Sequence, residues 1–132
     1  MDVGAANICL RCVFGDDRAA IAPATWEVAL FTNFPELGGV ELDPVGGYAA
    51  ASVANTTANW PTPTLGAITS APISFGTSTG EWSDVATVAV IRAGGFIYYG
   101  RPLMADEEID VTVAGQVVDQ VRVIVDWNQV VI

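Results

Sequence analysis

Neither lysine nor histidine occurs in this 132-residue chain. Without histidine there is no Ser-His-Asp or Cys-His nucleophile pair and no imidazole metal ligand. Without lysine there is no Schiff base and no cation for a phosphate-binding loop. Positive charge is scarce altogether. Five arginines (Arg11, Arg18, Arg92, Arg101, Arg122) face fifteen Asp and Glu residues, and the formal charge of −10 repels a phosphate backbone. Nor does any run approach the ~20 apolar residues of a membrane span. These absences argue against a catalyst, a nucleic-acid partner and a membrane. They leave a binding or structural part.

What the chain does have is apolar bulk. Its length suits one domain over 1–132 with a sizeable core. A hydrophobic fraction of 52% with 15% charged residues is high for a soluble monomer. Two readings fit: a well-filled core, or apolar surface covered by neighbouring subunits. The abundant valines suit strands packed on both faces. Asp2 stands where a signal peptide would be basic, and Arg11 interrupts the apolar stretch that follows. Synthesis inside the cell is therefore expected, with Cys9 and Cys12 reduced. Thirteen glycines and seven prolines are spread through the chain, as in a turn-rich fold without low-complexity segments.

Residues 2–14 form the one good helix candidate. Ala5, Ile8, Cys9, Cys12 and Val13 fall at i, i+3, i+4, i+7 and i+8, with Gly15 placed to end the helix. Beyond it the pattern turns to β. Thr25 to Thr32 alternates, with Trp26, Val28 and Leu30 on one side and Glu27 on the other. Pro35 to Gly47 is a loop, and Tyr48 to Ala54 a small-residue strand. Pro61 and Pro63 make the following stretch irregular. Short strands are expected near Leu65–Thr69 and Pro72–Phe75, and a hairpin from Val85–Arg92 and Phe96–Tyr99. Ile109–Val113 and a last long strand complete the set. In that last strand Val117, Val121, Val123, Val125 and Trp127 share one face, while Gln120, Arg122, Asp126 and Asn128 mostly take the other. The expected fold is mainly β: an antiparallel sandwich or barrel-like domain of seven to eight strands with one N-terminal helix.

The candidate sites are few. Cys9-Leu10-Arg11-Cys12 has redox spacing, but it lies mid-helix with no strand before it, and no second ligand pair completes a zinc site. Two buried core cysteines are the better account. Asp106, Glu107, Glu108 and Asp110 lack the glycine-centred calcium loop and read as a solvated turn, and Asp16-Asp17 is weaker still. Fifteen acids allow many glycosidase-type carboxylate pairs, but none is marked out by its surroundings. Trp60, Trp82, Tyr98 and Tyr99 could stack on a host glycan, although packing is the commoner use of such residues. No catalytic residue, metal or cofactor is expected. Val130-Val131-Ile132 is an apolar end, and these three residues are the candidate assembly contact.

Several short blocks stand in a telling order. Ala29-Leu30-Phe31-Thr32 comes first, then Gly39-Val40-Glu41 and Gly46-Gly47-Tyr48-Ala49. Asn59-Trp60-Pro61, Ile73-Ser74-Phe75-Gly76 and Gly80-Glu81-Trp82-Ser83-Asp84-Val85 follow, and the series closes on Gly94-Gly95-Phe96-Ile97-Tyr98-Tyr99-Gly100-Arg101-Pro102-Leu103. This order resembles a family of small tailed-phage virion proteins commonly labelled tail fibre or minor tail proteins, and it covers nearly the whole chain. Ala50 departs from the pattern where arginine often follows the Tyr-Ala pair, and Ser83 where glycine usually follows Trp82. Asn128–Ile132 has no counterpart. The resemblance implies a non-enzymatic, multi-copy structural component of a virion, of tail or tail-fibre type, made in the host cytoplasm. Its implied partners are copies of itself and other virion proteins, either the tail tube or tip or the major capsid protein, with acidity suited to a basic patch on them. A head decoration (cement) protein is the alternative that small size supports. A carbohydrate-binding adhesin is a further one.

Overall fold

The computed structural model describes residues 3–16, 18–19, 22–93, 96–103 and 108–126; of 3–6 and 96–103 it describes the backbone alone. The chain is mainly β with one short helix. Helix α1 spans Val3–Val13 and carries Arg11 in its last turn, where a cation complements the helix dipole. Gly15, at φ +90°, takes the chain out of the right-handed helix.

The buried stripe of α1 differs from the expected one. Leu10 and Phe14 are buried, while Ile8 is 63% exposed, Cys12 is exposed and Cys9 only half-buried. Leu10 and Phe14, four residues apart, have more apolar surface to hide than the cysteines and alanine of the neighbouring stripe. Phe14 fixes the orientation. Its ring lies 5.4 Å from that of Trp26 and 4.8 Å from that of Trp60. The two cysteines are thus not a buried core pair.

Among the described residues six strands follow: β1 (Thr25–Phe31), β2 (Ala51–Ala54), β3 (Ala67–Thr69), β4 (Val88–Ala93), β5 (Phe96–Leu103) and β6 (Arg122–Asp126). They hydrogen-bond antiparallel in the order β2-β1-β4-β5-β6-β3. Strand β5 pairs with β4 from Phe96 to Gly100 and with β6 from Arg101 to Leu103, so it joins the two parts of the sheet. The expected strands at Pro72–Phe75 and Ile109–Val113 shrink to single bridges, Ile73↔Val121 and Ala86↔Ile109. Pro72 lacks a ladder donor, and Gly76 turns the chain at φ +82°. Leu65 lies in a tight turn ahead of β3, not in the strand.

Alternation places the core. Trp26, Val28 and Leu30 of β1 are fully buried, as are Val121, Val123 and Val125 at and within β6. They join one cluster with Leu10, Phe14, Trp60, Ile68, Ile91, Ile109 and Val118. Each such side chain contributes about 1.5–3 kcal/mol by leaving water. Val117 does not share this face; it is 54% exposed and precedes the strand. Trp127 lies outside the described residues. On the opposite face of β1 and β4, Val88 and Val90 form a small second cluster with Phe31 and Phe34.

One buried amide ties helix to sheet. Asn55, wholly buried just after β2, accepts from the Gly15 N–H at 2.7 Å and donates Nδ2 to the Val13 and Pro23 carbonyls at 2.8 Å each. Arg18 Nη1 donates to the Asn55 carbonyl at 2.7 Å. The groups left over at the helix end thereby find partners.

Candidate functional site

Tyr48 is the polar group that links the β1 edge to the loops around it. Strand β2 is shorter than β1, so beyond Val28 the β1 edge needs another partner. The Leu30 N–H donates to the Tyr48 hydroxyl at 2.9 Å, and the Leu30 carbonyl accepts from the Leu42 N–H at 3.0 Å. A side-chain oxygen thus continues a backbone ladder. The hydroxyl in turn donates to Glu41 Oε2 at 3.3 Å. Burial pushes the Tyr48 pKa up to about 12; the bond from Leu30 lowers it and the nearby Glu41 charge raises it again. Near neutrality this phenol keeps its proton and its place.

Around it the loops close tightly. The Tyr48 ring meets Trp82 edge-on at 5.2 Å and stacks with Phe75 at 6.4 Å. Trp82 Nε1 donates to the Gly46 carbonyl at 3.1 Å. A Cβ on Gly46 would lie 2.4 Å from the Glu81 carbonyl oxygen, and φ is +63°, so only glycine fits there. Ser83 uses its hydroxyl to accept from the Asp43 N–H at 2.9 Å, a bond that glycine could not make.

The charged rim is structural too. Arg92 on β4 stands opposite Glu27 on β1 in the ladder and donates Nε to Glu27 Oε1 at 2.7 Å and Nη2 to Glu41 Oε1 at 3.0 Å. Burial opposes the charge on Arg92, but both carboxylates outweigh it and raise its pKa above the ordinary arginine value. Each such partly exposed pair contributes about 0.2–1 kcal/mol. The guanidinium is held by two acids of its own chain, and the phenol is protonated. As chemistry, this is a clamp rather than an acid–base pair.

The sequence-derived candidates do not converge here. Val130, Val131 and Ile132 lie outside the described residues, as do Asp17, Asp106 and Glu107. Glu108 and Asp110 are exposed, and no group of three or more Cys, Asp or Glu among the described residues could hold a metal. Trp60 and Trp82 are 1% and 3% exposed. A glycan cannot stack on either ring, which corrects that use of these two aromatics. The side chains of Tyr98 and Tyr99 are outside the description. A cavity of about 30 Å³, lined by Arg11, Phe14, Thr57, Trp60, Thr62 and Pro63, is of the order of one water molecule and far smaller than a sugar ring.

One signal went unread in the sequence. From Pro44 to Gly80 there is no charged residue, in a chain that is 15% charged. That segment carries β2 and β3, the two edge strands of the sheet. No family model matches this chain, and no curated protein or solved structure does.

Proposed function

We propose that this protein is a non-enzymatic structural component of a tailed-phage virion, present in several copies and of tail or tail-fibre type. We also read its coiled sheet as a sandwich, with β1 and β4 facing β6 and β3 across the main core.

The observation that carries this reading is the meeting of the resemblance blocks. Leu30 of the first block donates to Tyr48; Glu41 of the second accepts from it. Gly46 and Tyr48 belong to the third, and Phe75 and Trp82 to later ones, yet all pack at one node. Residues spread over some fifty positions act as a single fold-making unit. Blocks of this kind mark a common scaffold, not a catalytic site. The saturated Arg92 and the protonated Tyr48 support the non-enzymatic part.

Gold-labelled antibody against this chain, applied to intact virions, tests the reading. Label on the tail supports it. Label on the head would replace it with the decoration-protein alternative, and particles that carry no label would overturn a virion role.

A further inference from the structure

We propose that β2 is a self-association edge, through which two copies of this chain pair antiparallel about a two-fold axis at Ser52. The pairing would hold whether or not the chain belongs to a virion.

The register of β1 and β2 shows which peptide groups are available. Asn55 N–H donates to the Ala24 carbonyl at 2.9 Å, and Thr25↔Ala54 and Trp26↔Val53 are the next pairs along. Antiparallel ladders alternate hydrogen-bonded and non-bonded pairs. Val53 and Ala51 therefore turn their peptide groups toward β1, and Ser52 and Ala54 turn theirs outward. Ser52 and Ala54 are exposed. The Ala54 carbonyl is taken by the Thr56 N–H and Asn59 Nδ2, both at 3.0 Å. Among the described residues, the Ser52 N–H and carbonyl and the Ala54 N–H have no hydrogen-bond partner.

The opposite edge of the sheet is different. There Thr64 exchanges two backbone hydrogen bonds with Ala67, at 2.9 and 3.0 Å, so β3 is partly covered by its own hairpin. Among the described residues, β2 presents an edge with no lysine, proline or bulge to blunt it. Pairing at one edge of each copy closes at two chains and does not propagate.

Charge leaves this edge open to a second copy. Two chains of −10 repel wherever their acids approach. Along Pro44–Gly80 there are none to approach. Glu27, the ladder partner of Ser52, is already bonded to Arg92. Across a two-fold axis at Ser52 the two Glu27 residues would stand three strand spacings apart, about 14 Å. That exceeds the roughly 8 Å screening length at physiological salt. The geometry is also self-complementary. Ser52 bonds to Ser52 of the second copy through both peptide groups, and Ala51 meets Val53 on the core-facing side.

Sedimentation velocity on the full chain tests this, over about 1 μM to 1 mM. The wild type should form a dimer that tightens as salt rises, because screening removes the repulsion between the copies. Ser52→Lys places like charges against each other at the axis and should weaken the dimer by roughly twofold to fivefold. Ser52→Pro removes the outward N–H, which the β1 ladder does not use, and should do the same. Circular dichroism checks the fold of each variant. Should the proline variant unfold, the lysine variant decides alone, because its exposed side chain leaves the core untouched. A wild type that stays monomeric would leave the edge to a strand from another protein and overturn the proposal. A dimer that Ser52→Lys leaves unchanged would overturn it equally.

Discussion

Replacing Asn55 by alanine should be among the most damaging polar-to-apolar changes in the chain. The side chain makes three hydrogen bonds of 2.7–2.8 Å from a wholly buried position. Alanine leaves the Gly15 N–H buried without an acceptor, at about 1–3 kcal/mol. The Val13 and Pro23 carbonyls are only partly buried at this site and regain water at some loss, about 0.5 kcal/mol each. The sum is about 3 kcal/mol, against a typical total of about 5–15 kcal/mol for a domain. With a urea m-value of about 2 kcal/mol/M, the midpoint should fall by roughly 1.5 M at unchanged slope. Trp26 and Trp60 sit against Phe14, next to the affected helix end, so tryptophan fluorescence follows the transition directly. Asn59→Ala is the control. It removes one bond of 3.0 Å at an exposed site and should shift stability by less than about 1 kcal/mol. If Asn55→Ala unfolds within about 0.5 kcal/mol of the wild type, the account of Asn55 as the tie between helix and sheet is wrong.

Tyr48→Phe should destabilise the fold by about 1–3 kcal/mol in the same urea assay, because the buried Leu30 N–H loses its acceptor. Tyr48 also has a pH signature: its folded pKa of about 12 lies above the ordinary value of 10.0. The associated stability is therefore intact below pH 10 and is lost between about pH 10 and 12, as the unfolded chain ionises first. Tyr48 should titrate late in ultraviolet difference spectra, and a spectrum in which every tyrosine has ionised near pH 10 would refute this. Cys12, exposed, should react with a thiol reagent before half-buried Cys9, and mass spectrometry of purified protein should show neither a Cys9–Cys12 bridge nor stoichiometric zinc. Deleting Val130 to Ile132 should lower the copy number in virions while circular dichroism stays native; incorporation at normal level would rule those residues out as an assembly contact.

The strands were legible where bulky apolar residues stand at every second position. Val121, Val123 and Val125 alternate with Arg122, half-buried Ile124 and Asp126, and all three valines are wholly buried. Trp26, Val28 and Leu30 are buried in the same way, although Ala29 between them is buried too. The expected hairpin is present as β4, ending at Ala93, paired with β5, beginning at Phe96. Period alone failed on α1. Counting apolar positions gives Cys9 and Cys12 the weight of a leucine, whereas Leu10 and Phe14 bury more surface and turn the helix toward Trp26 and Trp60. Extending the β6 alternation back to Val117 failed for another reason. Alternation has meaning only inside a strand, and Val117 makes a single bridge to Thr77 outside one.

The polar ties were hidden because they are long-range. Asn55 reaches back 40 residues to Gly15, and Trp82 reaches 36 residues to Gly46. No spacing rule connects such positions, since topology alone decides which loops meet. The open edge lies between these extremes. The uncharged stretch from Pro44 to Gly80 is plain in the sequence, but its meaning depends on register. A shift of one residue between β1 and β2 would turn Val53 out of the core and reverse which peptide groups face outward. Trp26 fixes that register by burying itself opposite Val53. The same core contact that holds the strand in place therefore determines which hydrogen-bonding groups it offers to a second chain.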